Sequence, residues 1–303
     1  MGVTSEPTDR LSSGVRVGHW TAASGAGGCT VVLPPPGNVS SCDIRGSSPG
    51  SRELATLDPE RQRTEVHGIL LTGGSAFGLA AADGVMRWLE EHEIGFKTPI
   101  ATIPIVPAAV IFDLSAGDPA SRPGPDAGYA ACEEAIEQPV ATGLVGAGTG
   151  ATVGKWAGRE FFAPGGLGIA AAREGELEVR ALAVVNPFGD VVGEDGAVLA
   201  GSSAPDPQMR PPPADPRVGW NTVLAVVTTV ATLGRGDVRF LASRTSDGIT
   251  QAIRPAHTRY DGDIAFAVAI PPAEDGATAA DLDVLALLAT TATAAAIRAA
   301  VAS

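Results

Sequence analysis

The sequence predicts an α+β fold, because stretches typical of strands and stretches typical of helices occur in the same chain. Short apolar runs bounded by glycine and proline, such as residues 30–33, are typical of buried strands. Residues 72–93, TGGSAFGLAAADGVMRWLEEHE, instead place apolar side chains at helical spacing. Residues 222–230, TVLAVVTTV, are apolar or β-branched on both alternating faces, which indicates a central strand covered on both sides.

The individual elements follow from the same patterns in chain order. In the first helix Ser75 is the expected N-cap, and the apolar face carries Phe77, Ala80, Ala81, Val85, Trp88 and Leu89. After it come an apolar run at 100–112, a helix at 126–138 and a strand at 179–185. The apolar stretch 282–301 is interrupted by Asp283, Arg298 and several threonines, so we expect a buried helix rather than a membrane span.

The composition favours a small-molecule partner. The chain has 303 residues with 21 Lys and Arg against 34 Asp and Glu, so its formal charge is -13. This charge disfavours a general attraction to nucleic acid or to an anionic membrane. Cys29, Cys42 and Cys132 are an odd number without metal-type spacing, which suits a reducing compartment, and the first residues lack the apolar core of a signal peptide. We therefore expect a cytoplasmic protein without a membrane segment.

A proline-rich run ends just before the central strand, at the dipeptide Asn221-Thr222. Residues 205–217, PDPQMRPPPADPR, hold six prolines and predict an extended connector. One interpretation is a linker between two domains, which the chain length permits. The other is cleavage of the Asn221-Thr222 bond by attack of the threonine hydroxyl on the preceding carbonyl. The freed α-amine of Thr222, with a pKa near about 7.7–8.0, would then act as the base for that hydroxyl.

Four further residues are candidates to assist such a nucleophile. Asp261 and Asp263 lie two apart on a predicted strand, so both carboxylates project from one face and can act as a unit. The alternative is an Asp-Gly-Asp turn or a calcium-type loop. Asn186 ends an apolar run and either donates its amide to an oxyanion or forms an Asn-Pro turn. Lys155 is one of very few lysines, and its ammonium would stabilise negative charge or lower a neighbouring pKa if partly buried.

The sequence does not match the known motifs of cofactor and metal sites that we compared with it. The glycine-rich stretch 143–154 fails as a phosphate loop because position 149 is Thr and because Trp follows Lys155. Its looser dinucleotide pattern follows a weak strand and lacks a well-placed acidic residue. Gly78 is three residues after Ser75 instead of two, so the sequence also departs from the G-x-S-x-G motif that carries the nucleophile of serine hydrolases. His19, His67, His92 and His257 form no helical pair, and we predict neither a cofactor nor a metal site.

Eight segments of the sequence together resemble one known family. In chain order they are VRVGHWTA, CDIRGSSPGSRE, VHGILLTGGSAFGLAAADGVMRWL, VPAAVIFDLSAGD, VGAGTGATVGK, VVNPFGDV, NTVLAVVTTVATL and DGDIAFAV. They span nearly the whole chain and resemble the self-processing L-aminopeptidase/D-amino-acid esterase family. That family includes the β-peptidyl aminopeptidases and the 6-aminohexanoate-oligomer endohydrolases.

The resemblance implies a fold, a cleavage site and a role for each candidate. The fold would be a four-layer αββα sandwich similar to N-terminal-nucleophile hydrolases but differently connected, with residues 1–303 as a single hydrolase domain. Self-cleavage between 221 and 222 would give an α piece, 1–221, and a β piece, 222–303. Thr222 would be the nucleophile, its amine the base and Asn186 an oxyanion donor, while Lys155, Asp261 and Asp263 would position and tune the nucleophile. The family also implies a homo-oligomer, a tetramer of αβ units.

One position departs from the family pattern. Well-known members carry Tyr, assigned to the oxyanion site, where this chain has Phe112, which cannot donate a hydrogen bond. Loss of one such donor costs on the order of 10² to 10³ in rate. The expected activity is hydrolysis of small peptides or amide oligomers through an acyl-enzyme. Two alternatives stay open: a self-cleaving acyltransferase of the ornithine acetyltransferase type, and a catalytically silent binding protein on the same fold.

Overall fold

Two β-sheets stack face to face in the computed structural model, which describes residues 2–62, 65–158, 160–205, 221–272 and 281–302. The strands of these residues, β1 to β18, are Thr4–Pro7, Arg16–Thr21, Gly28–Leu33, Val39–Ile44, Ser51–Arg52, Ile69–Thr72, Phe96–Lys97, Thr102–Ile103, Ala108–Val110, Thr152–Val153, Ala163–Pro164, Gly166–Glu174, Leu177–Asn186, Asp190–Val192, Val198–Ala200, Thr222–Val230, Ile253–Arg254 and Ile264–Ile270. The helices α1 to α4 are Ala81–Glu91, Pro125–Glu133, Arg235–Ala252 and Leu282–Ala299. Short 3-10 helices span Leu54–Leu57, Ser75–Ala80, Gly146–Gly148 and Lys155–Ala157.

The larger sheet contains the predicted central strand. Its order is β1-β12-β13-β16-β18-β4, and the order in the other main sheet is β2-β3-β6-β9-β5. β16 pairs antiparallel with β13 and parallel with β18. The prediction that 222–230 forms a strand covered on both sides is therefore confirmed. A smaller sheet, β15-β14-β17, and the pairs β7-β8 and β10-β11 lie outside these two sheets.

Three hydrophobic clusters define four layers. Helices α3 and α4 cover the outer face of the larger sheet, where Leu241 and Leu285 pack against alanines and valines of the strands. Helices α1 and α2 cover the outer face of the other sheet, with Leu89 fully buried there. Between the sheets, Phe266 of β18 and Ile69 of β6 belong to one cluster. The four-layer αββα sandwich is confirmed.

Strand alternation places the predicted nucleophile at the end of the layer between the sheets. On β16, Val223 faces the helices, whereas Leu224 faces the other main sheet. Successive side chains of a strand point to opposite faces, so Thr222 shares the face of Leu224. Asn186 shares the face of Val184, which also belongs to the inter-sheet cluster, and it pairs with Thr222 in the β13–β16 ladder. Both side chains therefore project into the same end of the inter-sheet layer.

The first predicted helix begins later than the apolar pattern indicated. Ser75 is not an N-cap: it opens a 3-10 helix with a φ of +54°, and the α-helix starts at Ala81. Phe77 and Ala80 are also off the buried face: both are exposed, Phe77 by 57%, and Phe77 lies beneath the Arg122 guanidinium. Gly74 and Ser75 both have positive φ, which turns the chain after β6 and delays the helical periodicity. Within α1 the predicted face is buried as expected.

The other predicted elements mostly match. The strands at 30–33 and 179–185 are confirmed within β3 and β13, whereas the helix predicted at 126–138 ends at Glu133. Helix α4 is long and apolar enough to cross a membrane by length and composition, yet 56% of it is buried, against α3, β12 and β13. The predicted buried helix is confirmed. Apart from Pro205, the proline-rich run 205–217 lies outside the described residues.

Candidate active site

The hydroxyl of Thr222 is turned toward the peptide bond that precedes it. Its Oγ1 donates to the carbonyl oxygen of Asn221 at 2.5 Å, and both residues are buried. The same carbonyl oxygen accepts the backbone N–H of Gly262 at 2.8 Å. The Asn221 backbone and side-chain amides both donate to the Tyr260 carbonyl, at 3.3 and 3.2 Å. The carbonyl between Asn221 and Thr222 is thus polarised by an N–H group and contacted by a hydroxyl.

Asn186 and Lys155 form a hydrogen-bonded pair beside this peptide. The Lys155 ammonium donates to Asn186 Oδ1 at 2.6 Å and to its backbone carbonyl at 3.0 Å. Because an ammonium only donates, this contact fixes which end of the carboxamide faces Lys155. Asn186 Oδ1 also accepts the Thr152 N–H at 3.0 Å, and Nδ2 donates to the Phe112 carbonyl at 3.2 Å. The amide is therefore held by two separate segments of the chain, 152–155 and the one that carries Phe112.

Burial makes the Lys155 side chain a weak base for a lysine. Loss of hydration lowers its pKa from 10.5 to about 7, although the charges of Asp261 and Asp113 act in the opposite direction. Position 154 before it needs glycine, because Gly154 has a φ of +73° and a Cβ there would lie 2.1 Å from the Ser202 nitrogen. Lys155 can therefore both carry positive charge and exchange a proton near neutral pH.

Asp261 and Asp263 are brought into the site, but not on a strand. They precede β18, which begins at Ile264: Asp261 forms an isolated bridge with Asn221, and Gly262 and Asp263 lie between this bridge and the strand. The prediction that both lie on one strand is wrong in this respect. Asp263 Oδ1 accepts the Val223 N–H at 2.7 Å, which ties this carboxylate to the peptide after Thr222.

Asp261 is held by a different set of donors. Its Oδ1 accepts the Phe188 N–H at 3.0 Å, and its Oδ2 accepts the Thr258 N–H and hydroxyl at 2.9 and 2.5 Å. Burial, followed by the nearby charge of Asp263, raises the pKa of Asp261 to about 6. Two acidic groups with different environments therefore flank the start of β16.

Phe112 contributes its backbone to the site, and the next residue is a carboxylate that the sequence analysis did not single out. Asp113 is buried; its Oδ1 accepts the Gly74 N–H at 2.6 Å, and its Oδ2 has no hydrogen-bond partner among the described residues. A Cβ at Gly73 would lie 2.1 Å from Oδ2, so a larger residue there would displace the Asp113 carboxylate. Burial raises the pKa of Asp113 to about 6 against the charge of Lys155. The signal in the sequence was an acidic residue directly after an apolar run.

His257 also reaches the site, although the sequence analysis set the four histidines aside. Its Nδ1 lies 2.7 Å from Asp263 Oδ2. The sequence signal was weak, because His257 and Asp263 are six residues apart and share no regular element. Within the described part of the chain, no group of three or more His, Cys, Asp and Glu side chains is arranged to hold a metal ion.

The family follows from a comparison with known sequences. The model of peptidase family S58 matches residues 12–303. The chain belongs to peptidase family S58. An uncharacterized aminopeptidase of Mycobacterium leprae (strain TN) is 44% identical over 294 residues, which cover 88% of this chain and 79% of the relative. A 6-aminohexanoate-oligomer endohydrolase of Kocuria sp. (strain KY2) is 31% identical over 270 residues, covering 84% and 72%.

Solved structures share the fold of this S58 chain. The L-aminopeptidase D-Ala-esterase/amidase of Ochrobactrum anthropi, described as a variant of the Ntn hydrolase fold, has a TM-score of 0.75 at 18% identity and covers 99% of this chain and 87% of its own. A β-aminopeptidase of Burkholderia sp. has a TM-score of 0.73 at 20% identity, with coverage of 98% and 88%. The family predicted from the eight segments is confirmed, and S58 is an aminopeptidase and amidase family.

Proposed function

We propose that this protein is an autoprocessed amide hydrolase whose nucleophile is the N-terminal threonine left by a cut between Asn221 and Thr222. The observation that carries the proposal is the contact of the Thr222 hydroxyl with the Asn221 carbonyl oxygen at 2.5 Å. Membership of S58 supports amide chemistry, and the placement of Asn186 opposite Thr222 supports this position as its centre.

The first step is a shift of the acyl group from nitrogen to oxygen. Thr222 Oγ1 bonds to the Asn221 carbonyl carbon, the peptide C–N bond breaks, and the hydroxyl proton ends on the departing nitrogen. Water then hydrolyses the ester, which leaves a carboxylate on Asn221 and a free amine and hydroxyl on Thr222. Negative charge develops on the Asn221 carbonyl oxygen during the attack, and the Gly262 N–H at 2.8 Å is placed to stabilise it.

Turnover of an added substrate repeats the attack with the freed amine as base. The amine takes the Thr222 hydroxyl proton, the oxygen bonds to the substrate carbonyl carbon, and the substrate amine leaves with that proton. The resulting ester is the acyl-enzyme, and water releases the acid. Small peptides and amide oligomers are the expected substrates, in keeping with the names of the aminopeptidase and endohydrolase relatives.

Two donors in the site are suited to the substrate oxyanion without a tyrosine hydroxyl at position 112. The Asn186 amide has two N–H groups, and one of them donates to the Phe112 carbonyl. The Lys155 ammonium has three N–H groups, and two point to oxygens of Asn186. The second amide hydrogen and the third ammonium hydrogen are then the donors for the oxyanion. A charged donor of this kind offsets the loss of the neutral hydroxyl.

Intact mass analysis followed by N-terminal sequencing tests the proposal directly. Freshly purified protein should give two fragments under denaturing conditions, and the shorter one should begin at Thr222. A single 30.5 kDa species in a preparation that hydrolyses amides would contradict the proposed nucleophile.

Replacing Gly262 with alanine should slow self-cleavage by about tenfold or more. A Cβ at this position would lie 2.9 Å from Thr222 Oγ1 and 2.5 Å from the Ser48 carbonyl oxygen, so the hydroxyl or the Gly262 N–H must shift. Misplacement of reacting groups by about 1 Å can cost on the order of 10² in rate. Gel densitometry of the two fragments over time measures the effect. Gly236→Ala is the matched control, because a Cβ there meets nothing within 4 Å, and it should cleave like the wild-type protein.

A further inference from the structure

His257 occupies a constrained position beside the proposed nucleophile. It lies between β17 and the segment 261–263, with its side chain 15% exposed. Its backbone has a φ of +53°, a left-handed conformation that is uncommon for residues other than glycine. Such a conformation persists only where the surrounding contacts hold it in place. The contacts of the ring therefore need an explanation.

Both ring nitrogens of His257 face oxygen atoms that accept hydrogen bonds. Nδ1 lies 2.7 Å from Asp263 Oδ2, and Nε2 lies 3.1 Å from the backbone carbonyl of Ser246 in α3. A neutral imidazole carries one N–H, so only the imidazolium donates to both acceptors. Burial disfavours the charged ring, but the hydrogen bond and charge of Asp263 outweigh it and raise the pKa of His257 above its usual range.

The other charges around the ring are largely paired. Arg45, at the end of β4, acts against the charge on His257. Its guanidinium is itself 2.7 Å from Asp43 and 3.4 Å from Asp247, so its effect is reduced. Asp261 adds negative charge next to Asp263 from the same segment. The carboxylate in contact with the ring, Asp263, therefore outweighs Arg45 in its effect on the imidazole.

The carboxylate held by His257 also holds the peptide that follows the nucleophile. Asp263 Oδ2 accepts the His257 backbone N–H at 3.2 Å as well as the ring N–H, while Oδ1 accepts the Val223 N–H at 2.7 Å. In the uncut chain, Asn221 gives Thr222 a second anchor through its own bonds to Tyr260 and Gly262. After a cut that anchor no longer acts on Thr222, and free chain ends fray unless they are tied down.

We propose that His257, as an imidazolium, is a positioning residue for the nucleophile: it fixes the Asp263 carboxylate, which holds the Val223 amide and so keeps Thr222 in place at the new chain end. The effect of His257 on catalysis rests on the proposed function, in which Thr222 is the nucleophile. Its structural part concerns the ring charge and the Val223 hydrogen bond, which can be measured without any substrate.

Two measurements without substrate test that structural part. Nitrogen-15 NMR of the wild-type ring at pH 7 should show both His257 nitrogens protonated. The variant His257→Asn keeps a donor near the place of Nδ1 and tolerates positive φ, but it removes the charge. The Val223 amide of this variant should exchange with solvent about tenfold faster, with little change at Val227 further along β16. A neutral ring at pH 7, or unchanged exchange at Val223, would overturn the proposal.

Activity measurements test whether the loss of the His257 charge slows amide hydrolysis after self-cleavage rather than self-cleavage itself. His257→Asn should cleave itself within roughly threefold of the wild-type rate and then hydrolyse a small amide about tenfold more slowly. Deprotonation of the wild-type ring adds to the loss of activity that deprotonation of Lys155 causes at alkaline pH, and His257→Asn should lack this added part. His67→Asn is the matched control, because His67 is also buried and its Nδ1 accepts the Ile105 N–H at 3.0 Å away from the site.

The outcomes separate this inference from the proposed function. The control variant should change neither the cleavage rate nor the pH profile. Equal losses in the two variants, or an unchanged pH profile in His257→Asn, would overturn the positioning role. If the wild-type protein neither cuts itself nor hydrolyses amides, the proposed function fails, while the ring charge and the Val223 exchange rate still decide what His257 does.

Discussion

Replacing Thr222 with alanine should leave one uncut chain with amide hydrolysis reduced by about 10⁴-fold or more. The substitution removes the oxygen that lies 2.5 Å from the Asn221 carbonyl oxygen, and without it neither the acyl shift nor an acyl-enzyme can form. Loss of a catalytic nucleophile has effects of this size in hydrolases. Denaturing electrophoresis measures the cut, and release of amine from a small amide measures turnover.

Two companion variants make the result specific to the hydroxyl. Thr222→Ser keeps an oxygen at the same place and should still cut itself and hydrolyse amides. Thr229→Ala removes a buried hydroxyl on the same strand, one that donates to the Glu178 carbonyl at 2.8 Å, and should cost some stability without blocking the cut. Full turnover by Thr222→Ala would rule out the proposed nucleophile.

Replacing Lys155 with methionine should lower amide hydrolysis by about 10² to 10³-fold. Methionine fills a similar volume but supplies no donor for the oxyanion, and it leaves Asn186 Oδ1 with the Thr152 N–H as its remaining close donor. Steady-state kinetics should show the loss mainly in kcat, because the donor acts on charge that develops in the transition state. Lys97→Met changes the other lysine, which is exposed, and should leave kcat unchanged.

The same variant should change how stability depends on pH. Lys155 has a pKa of about 7 in the fold and 10.5 as its unperturbed value, so between these values the unfolded chain binds more protons than the folded chain. The free energy of unfolding of the wild-type protein therefore gains a contribution that rises with pH across this window. In denaturant titrations from pH 7 to 10 on the uncut Thr222→Ala chain, the added Lys155→Met substitution should remove that rise. An unchanged rise would mean that Lys155 is not the group responsible.

Much of the site was predictable because its residues interrupt strong local patterns. Thr222 starts a run that is apolar on both faces, and Asn186 ends another, so both had to lie at the end of buried strands. The family resemblance implied that the two residues belong to one site, but their pairing in one ladder was not predicted. Lys155 stood out because lysine is rare in this chain and because glycines surround it.

Other features depend on contacts between distant segments, which local patterns do not report. The sequence placed Asp261 and Asp263 on a strand, but Asp261 forms an isolated bridge with Asn221 and both residues lie before β18 begins. Asp113 and His257 had no periodicity or motif to mark them. Their importance arises only when the loops that carry them fold against Lys155 and Asp263.

The position of β16 in the sheet has a consequence for a chain that is cut at its first residue. The piece 222–303 would supply β16, α3, β17, β18 and α4, which include two adjacent strands of the larger sheet and both helices that cover its outer face. Neither piece could bury its apolar surface from solvent by itself, so the two would remain associated after the bond is broken. Refolding would then require two molecules to meet in dilute solution, and thermal denaturation of the mature form should be irreversible although that of an uncut precursor need not be.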